Sequence, residues 1–111
     1  MWGTSPAEAA RRLRDAGADL VGCNCGDGGP DRVPAILSEM RAAAPGLLVA
    51  YPNAGIPRIE GSRTIYDLSP EGMAAGVAPI LAAGANILGG CCGSTPAHIR
   101  AMADVIRRRQ R

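Results

Sequence analysis

The chemistry of this chain is concentrated in four cysteines: Cys23 and Cys25 toward the N-terminus, and the adjacent pair Cys91-Cys92 toward the C-terminus. Neighbouring cysteines suit a packed core poorly, because successive side chains of a strand point to opposite faces. In Gly89-Gly90-Cys91-Cys92-Gly93-Ser94-Thr95-Pro96 the surrounding glycines free the backbone, so both sulfurs can turn toward one point. The long gap between Cys25 and Cys91 does not match a compact zinc finger. It does suit ligands supplied by two strand ends of one sheet. Three thiolates bind Zn²⁺ tetrahedrally at about 2.3 Å each and leave a fourth position for water or substrate, which marks a catalytic site. Spacing alone leaves three other readings open: a structural zinc held by all four cysteines, a strained vicinal disulfide, and a thiol redox protein using Cys91-Cys92.

The elements that must position these thiols alternate strictly between helix and strand. Ser5-Pro6-Ala7-Glu8 has the form of a capping box with proline at the first helical position, and Gly17 ends that helix. Ala18 to Cys25 reads as a strand. A second helix runs from about Asp31 to Ala44, with Val33, Ile36, Leu37 and Met40 at helical spacing. Leu47 to Tyr51 is the second strand. The stretch "PNAGIPRIEGSRTIYDL" is a long loop rich in Gly and Pro, with room for a short hairpin around Gly61-Ser62. Ser69-Pro70-Glu71 opens a third helix ending near Gly84, Ala85 to Gly89 is the third strand, and Thr95-Pro96 opens a fourth helix to about Arg109.

This order implies parallel strands joined by right-handed crossovers. Cys25, Asn53 and Cys91-Cys92 then fall at or just beyond C-terminal strand ends, the edge where β/α folds place their active sites. Cys23 and Cys25 are two apart and would share a face in a regular strand. The strand breaks at Asn24-Cys25-Gly26, so Cys25 is expected at the rim and Cys23 deeper, packed. The start of the last helix is expected to favour thiolates at Cys91-Cys92 through its positive end. Three parallel strands leave two bare sheet edges, and a complete eight-stranded barrel needs roughly 250 residues. The chain of 111 residues therefore reads as a fragment or as a subunit that needs a partner.

Composition narrows the class further. Apolar residues make up 47% and there is no Phe, so Ala, Leu, Ile and Val build the core of a single domain. A net charge of +2 gives no reason to expect nucleic acid. All twelve basic residues are Arg, and the cluster Arg107-Arg108-Arg109-Gln110-Arg111 reads as a solvated helix end that complements the dipole. No apolar run approaches the roughly 20 residues of a membrane span, and the first residues lack signal-peptide features. A cytoplasmic setting with reduced cysteines is expected. His98, third in the last helix, is expected to serve the helix start or packing. Asp27 is expected to serve a turn, and Gly28-Gly29 lacks the spacing of a phosphate cradle.

Gly22-Cys23-Asn24-Cys25, Tyr51-Pro52-Asn53-Ala54-Gly55 and Gly89 through Ile99 occur in the order that resembles the homocysteine S-methyltransferase family. The resemblance runs from Ser5 to about Ile106, with Ser94 where the family often has Thr and Cys23 at a variable apolar position. It implies a partial (β/α)8 TIM barrel: about three parallel strands with four helices, residues 1–111 forming the C-terminal portion of a homocysteine-binding barrel. It also implies Zn²⁺ held by Cys25, Cys91 and Cys92, with Asn53 beside the bound amino acid. The thiol acceptor would be homocysteine or a related thiol. The methyl donor would be methylcobalamin or another methylcorrinoid, a methylsulfonium, or betaine. The family's first five strands have no counterpart here, so an N-terminal barrel partner or a homo-oligomer is expected. Met1-Trp2 is expected to be an internal start, and the isolated chain is expected to bind zinc weakly and transfer little methyl. A non-catalytic partial barrel is the competing reading.

Overall fold

The computed structural model describes residues 3–25 and 29–109. Asp27 and Gly28, given turn and loop roles above, lie outside them. Helix α1 (Pro6–Asp15) begins at Ser5, whose Oγ accepts the Glu8 N–H at 3.1 Å. It leads into β1 (Leu20–Asn24), then a short 3-10 turn (Pro30–Arg32) and α2 (Val33–Ala43). Strand β2 (Leu47–Tyr51) follows. The long loop after it holds an antiparallel hairpin, β3 (Pro57–Glu60) and β4 (Arg63–Tyr66), turning at Gly61-Ser62 with Gly61 at φ 62°. After it come α3 (Pro70–Ala75), α4 (Val77–Ala82), the two-residue β5 (Ile87–Leu88) and α5 (Pro96–Arg109).

The expected third helix is thus two helices. Pro79 has no N–H to give the Ala75 carbonyl, so the helical ladder fails there. Gly76, at the joint, lets Pro30 approach closely, since a Cβ at position 76 would lie 2.7 Å from Pro30 Cβ. The third strand is shorter than expected, but its pairing continues irregularly: Gly89 N–H donates to Ala50 O and Cys91 N–H to Pro52 O. The glycines interrupt regular geometry without releasing the chain from β2.

The main sheet is parallel in the order β1-β2-β5, with Cys23 opposite Ala50 and Val49 opposite Ile87. Side chains alternate across it. Val21, Leu48 and Ala50 turn toward the helices and join Ala10, Val33, Leu37, Met40 and Ile80 in one core. A second cluster, Ala54, Met73, Val77 and Met102, packs α3, α4 and α5 under the long loop. Leu47, Tyr51 and Ile87 alternate to the other face and stay exposed, at 53%, 40% and 46%. Arg14 ties the base together, donating to the carbonyls of Asp19, Ala44 and Leu47.

Helices on a single face make a slab of 43 × 40 × 19 Å. Its radius of gyration, 14.4 Å, exceeds the about 13 Å expected of a compact domain this size. Parallel sheets are normally covered on both faces. Here one face is bare.

Candidate metal centre

The rim above the C-terminal strand ends gathers three of the four cysteines. The sulfurs of Cys25, Cys91 and Cys92 all lie within 4.8 Å of one another, although Cys25 and Cys92 are 67 residues apart in sequence. The backbone at Cys25 explains how a residue two after the inward-facing Cys23 reaches this cluster. Cys25 has φ 55°, the left-handed region, while its N–H still pairs with Tyr51 O at 3.1 Å. The strand alternation ends there and the side chain is redirected. Cys23 remains part-buried against the main core, and burial pushes its thiol up from the ordinary range.

The Cys91-Cys92 loop is clamped by the loop after β2. Cys91 N–H donates to Pro52 O and Ala54 N–H to Cys92 O, both at 2.9 Å. Asn53, 2% exposed, accepts the Cys92 N–H on Oδ1 at 3.0 Å. The backbone of one strand end therefore fixes the sulfurs of another.

The donor set fits zinc. Four ligands at about 2.3 Å around a tetrahedral ion place sulfurs about 3.8 Å apart; Cys25 Sγ and Cys92 Sγ are 3.7 Å apart. Cys92 is pushed up, chiefly by its hydrogen bond with Cys25 and then by the adjacent Cys91, while the nearby Tyr66 pulls it down. The expectation that this setting favours thiolates is not met at Cys92, whose ionisation the neighbouring sulfurs oppose. A bound divalent ion reverses that balance, because its charge deprotonates coordinating thiols.

His98 does not join the thiols. It is 7% exposed, its Nε2 donates to Leu68 O at 2.6 Å, and its Nδ1 accepts from Thr95 N–H and Oγ1–H at 3.2 and 2.8 Å. It caps α5 and ties that helix to the end of the hairpin loop. Tyr66 was not singled out by its spacing, yet it touches the centre. A Cβ at Gly93 would overlap its ring, and its own ionisation is pushed up by desolvation and by the nearby sulfurs. Only the tertiary path of the hairpin brings it there.

Among the described residues no helix is long and apolar enough to cross a membrane. Residues 1–106 match the sequence model of the family described as homocysteine S-methyltransferase. The chain is similar to methionine synthase of Mycobacterium tuberculosis, 33% identical over 107 residues, and to methionine synthase of Mycobacterium leprae, 33% identical over 109 residues. These alignments cover 96% and 97% of this chain and 9% of each relative.

Proposed function

Because the chain belongs to the homocysteine S-methyltransferase family, we propose that it supplies the zinc-binding part of an enzyme that methylates homocysteine or a related thiol. The observation that carries this reading is the convergence of the Cys25, Cys91 and Cys92 sulfurs within 4.8 Å. These three residues would hold Zn²⁺. When bound, zinc lowers the pKa of a substrate thiol so that it reacts as a thiolate near neutral pH.

The chain's own residues perform the positioning. Pro52 O and Asn53 Oδ1 hold the amides of Cys91 and Cys92, so the ligand loop is set before substrate arrives. Asn53 is also the residue we assign to the bound amino acid. Cys25 and Cys92 are exposed, which leaves the rim open to a thiol and a methyl donor. In the transfer the substrate thiol gives up its proton to solvent, and its sulfur forms a bond to the methyl carbon. The donor leaves with the electron pair of its former bond to methyl. Methylcobalamin or another methylcorrinoid, a methylsulfonium and betaine all satisfy that balance. No side-chain base is needed, in keeping with His98 being committed to Thr95 and Leu68.

In this reading residues 1–111 form the C-terminal portion of a (β/α)8 barrel, and a polypeptide supplying the preceding strands covers the bare face at Leu47, Tyr51 and Ile87. The chain spans 9% of the length of the two relatives. No disulfide joins the described cysteines, which suits a reducing, cytoplasmic setting. The test is methyl transfer to homocysteine from each donor class, by the purified chain alone and together with a co-expressed polypeptide carrying five preceding βα units, with and without zinc. Transfer only by the zinc-loaded pair is expected. Absence of transfer by that pair with every donor contradicts the function, and transfer by the chain alone contradicts the need for a partner.

A further inference from the structure

Tyr51 closes β2 and stands between the two strand ends that carry the thiols. Its carbonyl accepts the Cys25 N–H at 3.1 Å, and Asn24 lies opposite it on β1. On the other side, the pairing of Val49 with Ile87 and of Ala50 with Leu88 brings Gly89 opposite Tyr51, two residues before Cys91. Gly89 has no side chain, and the tyrosine ring takes that place. A Cβ at position 89 would lie 2.6 Å from Tyr51 Cδ1 and 2.7 Å from Cε1. Alternation along β2 sends Leu48 and Ala50 into the core and leaves Leu47, Val49 and Tyr51 on the bare face. Of these three, Tyr51 is at the C-terminal strand end, in the last row before Cys25 and Cys91. One edge of its ring is seated on Gly89, and the residue is still exposed on the face that the other strands leave open.

We infer that Tyr51 is a specificity-determining residue for the thiol acceptor, its ring forming an apolar wall below the metal centre against which the acceptor's methylene chain packs. The inference deepens the methyl-transfer reading and rests on it. A metal ion grips only the sulfur and does not tell one thiol from another, so discrimination has to come from what the carbon chain touches. Side chains at the C-terminal strand ends of a β/α fold are the ones that meet a substrate. An aromatic ring offers a large contact area with few torsions to fix, and a ring already seated on Gly89 loses little further freedom when a chain packs on it. A side chain at position 89 would push the ring out of this place, which gives the first glycine of the Gly89-Gly90-Cys91-Cys92 run a use beyond backbone freedom.

The test uses the full chain loaded with Co²⁺, whose sulfur-to-cobalt charge-transfer absorption rises when a further thiolate joins the ion. Two probes are titrated: methanethiol, too short to reach past the metal, and 1-propanethiol, which has a three-carbon chain and no charged group. The wild type is expected to bind 1-propanethiol roughly tenfold more tightly than methanethiol. Tyr51→Ala brings the two affinities together by weakening 1-propanethiol alone, and Tyr51→Phe, which keeps the ring, preserves the difference. Equal affinities in the wild type, a difference that survives in Y51A, or one that is lost in Y51F overturns the role of the ring and leaves a thiol-binding metal centre standing. If Y51A loses both thiols equally, the ring only supports the ligand loop, and the inference is again overturned. A wild-type protein whose cobalt spectrum neither thiol alters overturns the thiol-binding reading itself, and this inference with it.

Discussion

Cys23 and Cys25 are two positions apart and have different chemical fates. Cys23 follows strand alternation into the main core, where burial raises its pKa. Cys25 leaves the alternation through a left-handed backbone at φ 55°, a conformation that costs a side-chain-bearing residue about 1–2 kcal/mol. The sequence marked the break, because Asn24 and Gly26 flank it, but the torsion that swings Cys25 to its partners depends on contact with β2. Alkylation with iodoacetamide at neutral pH should separate the two: Cys25 labels early and Cys23 last. The thiolate is the attacking form, so raising the pH toward and past the ordinary thiol range should speed Cys23 labelling late. The same shift makes Cys23 a stabilising neutral group below the unfolded-state pKa, and that contribution is lost as pH rises through the folded-state value. Peptide mapping that finds Cys23 modified as fast as Cys25 contradicts the split.

At the scale of elements, local signals were legible and tertiary ones were not. Ser5 and Ser69 cap α1 and α3 as their Ser-Pro contexts require, and Thr95 caps α5. The break at Gly76 was hidden because Pro79 and Gly76 lie within an otherwise apolar helical pattern; the proline's missing N–H decides it, with Pro30 packed into the gap. The hairpin was readable as a turn at Gly61-Ser62, but its approach to the ligand loop was not, because Tyr66 meets Gly93 across the fold. His98 is the joint that makes that contact reproducible, linking α5 to Leu68. His98→Ala strips the Leu68 carbonyl and the Thr95 N–H of their partner. The part-buried Leu68 carbonyl left unsatisfied costs at most about 1–3 kcal/mol, so the urea midpoint should fall and zinc affinity should weaken as the Tyr66 loop loosens. A variant with an unchanged midpoint would mean that the histidine is dispensable to the frame.

For the whole molecule, the parallel order β1-β2-β5 brings the end of β1 beside the loop after β5, across 67 residues of sequence. Composition and alternation foretold a parallel sheet with bare edges, and the slab, 19 Å thick with helices on one face, has that form. Zinc joining Cys25 to Cys91-Cys92 would close the sheet across β2 and convert binding energy into folding energy, since the unfolded chain has no preformed site. X-ray absorption at the zinc edge of the metal-loaded protein measures that closure directly. The account predicts three sulfur neighbours at about 2.3 Å, falling to two in Cys25→Ser. A shell with fewer than three sulfurs in the loaded wild-type protein, or one that the Cys25 substitution leaves unchanged, would contradict it.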